Sequence, residues 1–133
     1  VVTLDGRILG KPRDREEAAR FMRALSGRTH EVRTAVAVGR SREDYRALVV
    51  LSGVTMRPMS EEEIGRYVMT DEPYDKAGGY GIQGLAGLFV RSVAGSYTGI
   101  MGLPVCEAAE LLASYGVPAP ALIQPIPTSS TSK

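Results

Sequence analysis

Tryptophan is absent from these 133 residues, cysteine and histidine occur once each, and lysine appears only three times. The single Cys106 forbids an internal disulfide; by itself it leaves the compartment undecided while leaning towards a reducing one, and the expected location is the cytoplasm. His30, the only imidazole, has no cysteine or second histidine near it in sequence, so no zinc-ligand pattern forms. Apolar runs extend only a few residues, as in Ala47 to Leu51, far short of the ~20 needed to cross a bilayer. Lys+Arg 16 against Asp+Glu 15 leaves a net charge of +1, which supplies no field to recruit a nucleic-acid polymer or a membrane surface. What remains is 44% hydrophobic and long enough to bury a core without cross-links or structural metal.

The local patterns describe an α/β chain. Val1-Val2-Thr3-Leu4 and Arg7-Ile8-Leu9 flank Asp5-Gly6, a pair that suits the positive φ angles of a two-residue hairpin turn. Gly10-Lys11-Pro12 breaks the strand, and Asp14 with Glu17 forms a capping-box pattern opening a helix to about Ser26. Ala18, Phe21, Met22 and Leu25 share its apolar face, and Gly27 stops it. Val32, Thr34, Val36 and Val38 alternate as in a half-buried strand, whereas Ala47 to Leu51 predicts a strand covered on both faces, with Gly39 to Tyr45 as the connection. Ser60 and Glu63 open a second capped helix that carries Ile64, Tyr67 and Val68. Leu85 to Val93 is the most strand-like part of a glycine-rich segment. Pro104 then starts a helix with Val105, Ala108, Ala109 and Leu112 on its apolar face, ending before Gly116. These elements give a mixed central sheet with flanking helices over residues 1–117. A Pro/Ser/Thr-rich tail over residues 118–133 is expected to be mobile after about Pro127.

The chemistry-bearing residues concentrate in Asp71-Glu72-Pro73-Tyr74-Asp75-Lys76-Ala77-Gly78-Gly79-Tyr80. Its carboxylates could hold Mg²⁺ and Lys76 could neutralise phosphate, or the segment could be a solvated turn with a local ion pair. Lys11 in Gly10-Lys11-Pro12 carries the same two readings, and no Walker P-loop is present. Gly79, Gly81 and Gly84 match Gly-x-Gly-x-x-Gly, but a charged loop precedes them where a dinucleotide fold needs a strand. The amide of Gln83 offers both a donor and an acceptor, which suits the imide edge of uracil or thymine; a surface glutamine is the alternative. His30 reads as a hydrogen-bonding residue at a strand entrance or as a general base, and Cys106 as a packing residue on an amphipathic helix.

Glu72-Pro73-Tyr74-Asp75-Lys76-Ala77-Gly78-Gly79-Tyr80-Gly81-Ile82-Gln83-Gly84, with Gly95-Ser96-Tyr97 and Gly102-Leu103-Pro104 after it, resembles the C-terminal signature of Maf proteins, also called septum formation inhibitors. Gly10-Lys11-Pro12 and Gly27 to Thr34 match in the same order, so the resemblance covers Val1 to about Gly116. It implies a Maf/ITPase-like fold, incomplete at its N-terminus, and a nucleoside triphosphate pyrophosphatase using a divalent cation, Mg or Mn. The Ile82-Gln83-Gly84 form is similar to the branch acting on dTTP and UTP. By resemblance, Lys11 contacts phosphate, Asp75 and Lys76 line the pocket, and Gln83 selects the pyrimidine, with Glu72 and His30 as secondary candidates. Gly79 stands where many members have alanine, a change expected to add backbone freedom. The family's catalytic aspartate, in an Ala-Asp-Thr segment, would precede Val1, so no catalytic residue is assigned within these residues. The competing reading is a nucleotide-binding or cell-division regulatory protein without turnover. A sheet lacking preceding strands would expose edges and apolar surface, so self-association, a homodimer included, is expected.

Overall fold

The computed structural model describes residues 1–125. The predicted mobility after about Pro127 lies outside the described residues.

A five-stranded sheet forms the centre, in the order β2-β1-β3-β4-β5, with every pairing antiparallel. β1 (Val2–Leu4) and β2 (Arg7–Leu9) make the expected hairpin, whose turn places Asp5 at φ 52 and Gly6 at φ 77. Two consecutive positive φ angles match the twist of the flanking strands, and Asp-Gly adopts them at little cost. β3 (Thr29–Gly39) and β4 (Tyr45–Met56) form a much longer hairpin, closed where the Arg40 N–H donates to the Asp44 carbonyl at 2.9 Å. β5 (Val90–Ala94) completes the far edge.

The period of two along β3 and β4 separates two faces of unlike character. His30 and Val32 on β3, with Ser52, Val54 and Met56 on β4, are buried on one face. There α1 (Arg15–Leu25) and α2 (Glu61–Tyr67) deliver Ala18, Met22, Leu25, Ile64 and Tyr67 to the main core with Leu4, Tyr80 and Phe89, beside a smaller cluster of Val2, Val32 and Val54. The opposite face is open: Val49 and Leu51 are 60% and 52% exposed. The expectation that Ala47 to Leu51 is covered on both sides is therefore corrected, because among the described residues all helical packing falls on the other face.

Helix ends follow their caps, with one adjustment. Asp14 accepts the Glu17 N–H at 2.8 Å as predicted, but the Glu17 carboxylate takes the N–H of Arg13 at 2.9 Å instead of that of Asp14. The Ser60–Glu63 box is complete in both directions. Leu85 to Leu88, expected as strand, is a short 3₁₀ turn, and only Val90 onwards joins the sheet. α3 (Tyr97–Ile100), α4 (Val105–Ser114) and a short α5 (Ala119–Leu122) follow. No residue of α4 is fully buried, so its predicted apolar face is only half covered and Val105 lies outside it, exposed.

Leu25→Ala, at a fully buried position (0% exposed), is expected to destabilise the chain by about 2–5 kcal/mol in equilibrium urea unfolding. Val49→Lys on the open face should cost no more than about 0.5 kcal/mol at concentrations where the chain is monomeric. Equal costs at the two positions would contradict a one-sided core.

Candidate functional site

A groove of about 740 Å³ runs between the centre of β3 and the glycine-rich segment, with Thr34 on one wall and Lys76, Tyr80, Ile82 and Gln83 on the other. The Gly99–Gly102 stretch closes one end, tied down where the Thr34 hydroxyl donates to the Gly99 carbonyl at 2.6 Å. Ser52 supports the same stretch, its Oγ accepting the Ser96 N–H at 2.9 Å.

Glu72 shapes the glycine-rich wall. Its carboxylate accepts the Tyr67 hydroxyl at 2.5 Å and the backbone N–H groups of Leu85 at 2.8 Å, Ala86 at 3.1 Å and Gly81 at 3.4 Å. Burial works to raise the Glu72 pKa, but the Tyr67 hydroxyl and the three amides together outweigh it and hold the carboxyl below its ordinary range. Tyr67 moves the other way: burial first, and then the adjacent carboxylate, push its phenol well above the usual range. Gly84 must lack a side chain, because a Cβ there would fall 2.0 Å from Glu72 Oε1. A Cβ at Gly81 would sit 2.9 Å from the Lys76 stem, a flexible side chain that can move aside.

The sequence-predicted residues separate into three positions. Lys76 and Gln83 both line the groove, and the exposed Gln83 amide makes no hydrogen bond to another described residue. Lys76 Nζ donates to Asp75 Oδ1 at 2.8 Å, and this hydrogen bond and charge hold the exposed Asp75 carboxyl below its ordinary pKa. Asp75 itself is not part of the groove lining. Lys11 is exposed beyond that lining, near enough for its charge to add to the lowering at Asp75. It is brought there by the Gly78 N–H donating to the Gly10 carbonyl at 3.0 Å.

His30 does not line the groove; it lies behind it, 3% exposed, with Nε2 2.5 Å from the Tyr80 hydroxyl. Burial holds its imidazole at about 4, against an ordinary 6.5, so it is neutral at physiological pH. Glu72 lines the groove as a carboxylate already occupied by protein donors. Gly79, at φ 78 with Pro12 3.4 Å from where its Cβ would stand, occupies a conformation in which alanine would be strained. Sequence reasoning missed Tyr67 and Tyr80 as members of this framework; the aromatic residues flanking a glycine cluster were the available signal. Among the described residues no group of three or more His, Cys, Asp or Glu side chains is arranged to hold a metal ion.

The unfolded chain protonates His30 near pH 6.5, the folded chain only near 4. Unfolding therefore takes up a proton between these values, and stability falls as pH drops through that window, by at most on the order of 3 kcal/mol. Urea unfolding at pH 7 and pH 4.5 should show this loss in the unaltered chain and a smaller one in His30→Gln. Identical losses in the two would contradict a buried, neutral His30.

A family model described as Maf-like protein matches residues 1–115. A dTTP/UTP pyrophosphatase of Bordetella parapertussis is 56% identical over 122 residues, covering 90% of this chain and 57% of the relative. The proteins of the same name from Escherichia coli K12 and Dechloromonas aromatica are 52% identical over 115 residues and 55% identical over 113 residues. Those alignments cover 86% and 84% of this chain against 58% and 55% of the relatives, so the chain spans little more than half their length.

Proposed function

The chain belongs to the Maf-like protein family, and from that premise we propose that it is the nucleotide-recognising portion of a pyrophosphatase that hydrolyses dTTP and UTP. The products are the nucleoside monophosphate and pyrophosphate. The observation that carries this reading is the groove in which Lys76 and the unengaged Gln83 amide share one wall. Gln83 presents a donor and an acceptor to the pyrimidine imide edge. Lys76 counters phosphate charge at the groove and Lys11 does so from its rim, each as a mobile point charge. The relatives named dTTP/UTP pyrophosphatase support the same substrates.

Among the described residues, the two carboxylates at or beside the groove are both engaged. Glu72 is spent on three amides and a phenol, and Asp75 is paired with Lys76 outside the lining. By the resemblance, water activation is proposed to belong to the aspartate of the family's Ala-Asp-Thr segment, a segment not found in residues 1–133. The divalent cation that the resemblance implies, Mg or Mn, does not fit these carboxylates on their own. Among the described residues no cluster of three or more such side chains is placed to ligate it. No helix among the described residues is long and apolar enough to cross a membrane. The proposed location, the cytoplasm, is supported by the single cysteine.

Pyrophosphate release by the whole protein, assayed with dTTP, UTP, CTP and 7-methyl-GTP, should favour dTTP and UTP. Gln83→Ala should reduce that preference about 10-fold, as expected for losing a site's hydrogen bonds to the base. Preferential turnover of 7-methyl-GTP, or unchanged preference in Gln83→Ala, would overturn the reading.

A second copy of the chain is the proposed protein partner, seated on the open sheet face around Val49 and Leu51. Sedimentation velocity of this chain should show association that grows with concentration and is abolished by Leu51→Lys. A monomer at all concentrations would exclude the homodimer.

A further inference from the structure

The buried polar pair behind the groove has no role in the reading above. Tyr80, 6% exposed, packs its ring in the main core with Leu4, Met22 and Met56, yet it also lines the groove three residues before Gln83. Glycines flank it on both sides, Gly79 at φ 78 and Gly81, so no neighbouring side chain anchors the backbone there. The anchor is Tyr80 itself. Its hydroxyl meets His30 Nε2 at 2.5 Å, and the two rings lie edge to face with centroids 5.3 Å apart. His30 belongs to β3, paired with Val54 of β4, and so stands in the middle of the sheet.

This contact is retained at a cost. His30 Nδ1 is buried without a hydrogen-bond partner among the described residues, a condition disfavoured by about 1–3 kcal/mol. An apolar residue of similar volume would avoid that cost and still fill the core. What it could not do is fix where the Tyr80 hydroxyl sits.

We propose that His30 is a positioning residue for base recognition: through Nε2 it fixes Tyr80, and through Tyr80 the backbone that aims Gln83 into the groove. The geometry excludes His30 from touching the nucleotide, since it does not line the groove. The inference rests on the groove being the nucleotide site, and it adds a residue that acts on selectivity from behind the wall.

Two measurements separate its failure from that of the underlying reading. Amide hydrogen exchange on this chain without nucleotide should show faster exchange across residues 79–84 in Tyr80→Phe and in His30→Leu. His30→Gln, whose amide can reach the hydroxyl, should restore slow exchange, while the Ser60-capped helix is unaffected in all three. Unchanged exchange in folded Tyr80→Phe, which keeps the buried ring, overturns the proposal whatever the enzyme does. In the whole protein, Tyr80→Phe should raise KM for dTTP about 10-fold, leave kcat within about 2-fold, and reduce the preference for dTTP over dCTP. Faster exchange with unchanged KM and preference, in an enzyme that turns over dTTP, overturns the recognition role. If the unaltered protein releases no pyrophosphate from dTTP, the pyrophosphatase reading fails instead, and the exchange result alone decides whether His30 positions the loop.

Discussion

The carboxylate of Glu72 is the point on which the glycine-rich wall depends. A segment with glycine at positions 78, 79, 81, 84 and 87 has little tendency to hold one shape, because glycine loses more backbone entropy on ordering than any other residue. Here one ionised side chain gathers the segment from both ends. It sits in the 3₁₀ turn that opens the segment, takes the Gly81 amide in the middle, and receives the Leu85 and Ala86 amides of the next turn. Tyr67 then couples the assembly to α2 and through it to the core. Charge-assisted bonds of this kind are about twice as strong as neutral ones, which offsets the cost of half-burying the charge.

Function and rigidity meet in this arrangement. With Glu72 occupied by protein donors, the groove is also lined by Lys76, whose ammonium keeps its pairing to Asp75, and by the Gln83 amide. Under the proposed reading, that combination serves recognition of a charged nucleotide. Behind the loop, the His30–Tyr80 contact supplies a second anchor on the sheet, so the stretch carrying Gln83 is held between two fixed points.

The parts of this architecture legible in the sequence are those set by local sterics. Asp5-Gly6 identified its hairpin turn, Ser60 and Glu63 their helix start, and the alternation from Val32 to Val38 its strand, because each depends on residues within one turn or one pleat. Long-range partners were not legible. Nothing local tells that Glu72 will accept amides nine, thirteen and fourteen residues away, or that those bonds turn Leu85 to Leu88 into a 3₁₀ turn where an apolar pattern suggests strand. The run Ala47 to Leu51 misled for a related reason: continuous apolarity reports what a strand can bury, and burial depends on which elements lie over each face. Of the candidate site, Lys76 and Gln83 were found from residue type and do share the groove. His30 was found as a hydrogen-bonding residue, but its partner fifty residues away was not.

The central claim is that Glu72 is an ionised acceptor binding the glycine-rich wall together, and its own titration tests that most directly. Carboxyl carbon NMR of this chain, followed through the acid range while it stays folded, should show Glu72 protonating below the ordinary 4.5. The Leu85 and Ala86 amide resonances should shift in step with it. A Glu72 that titrates at or above 4.5, with those amides unmoved, would contradict the account.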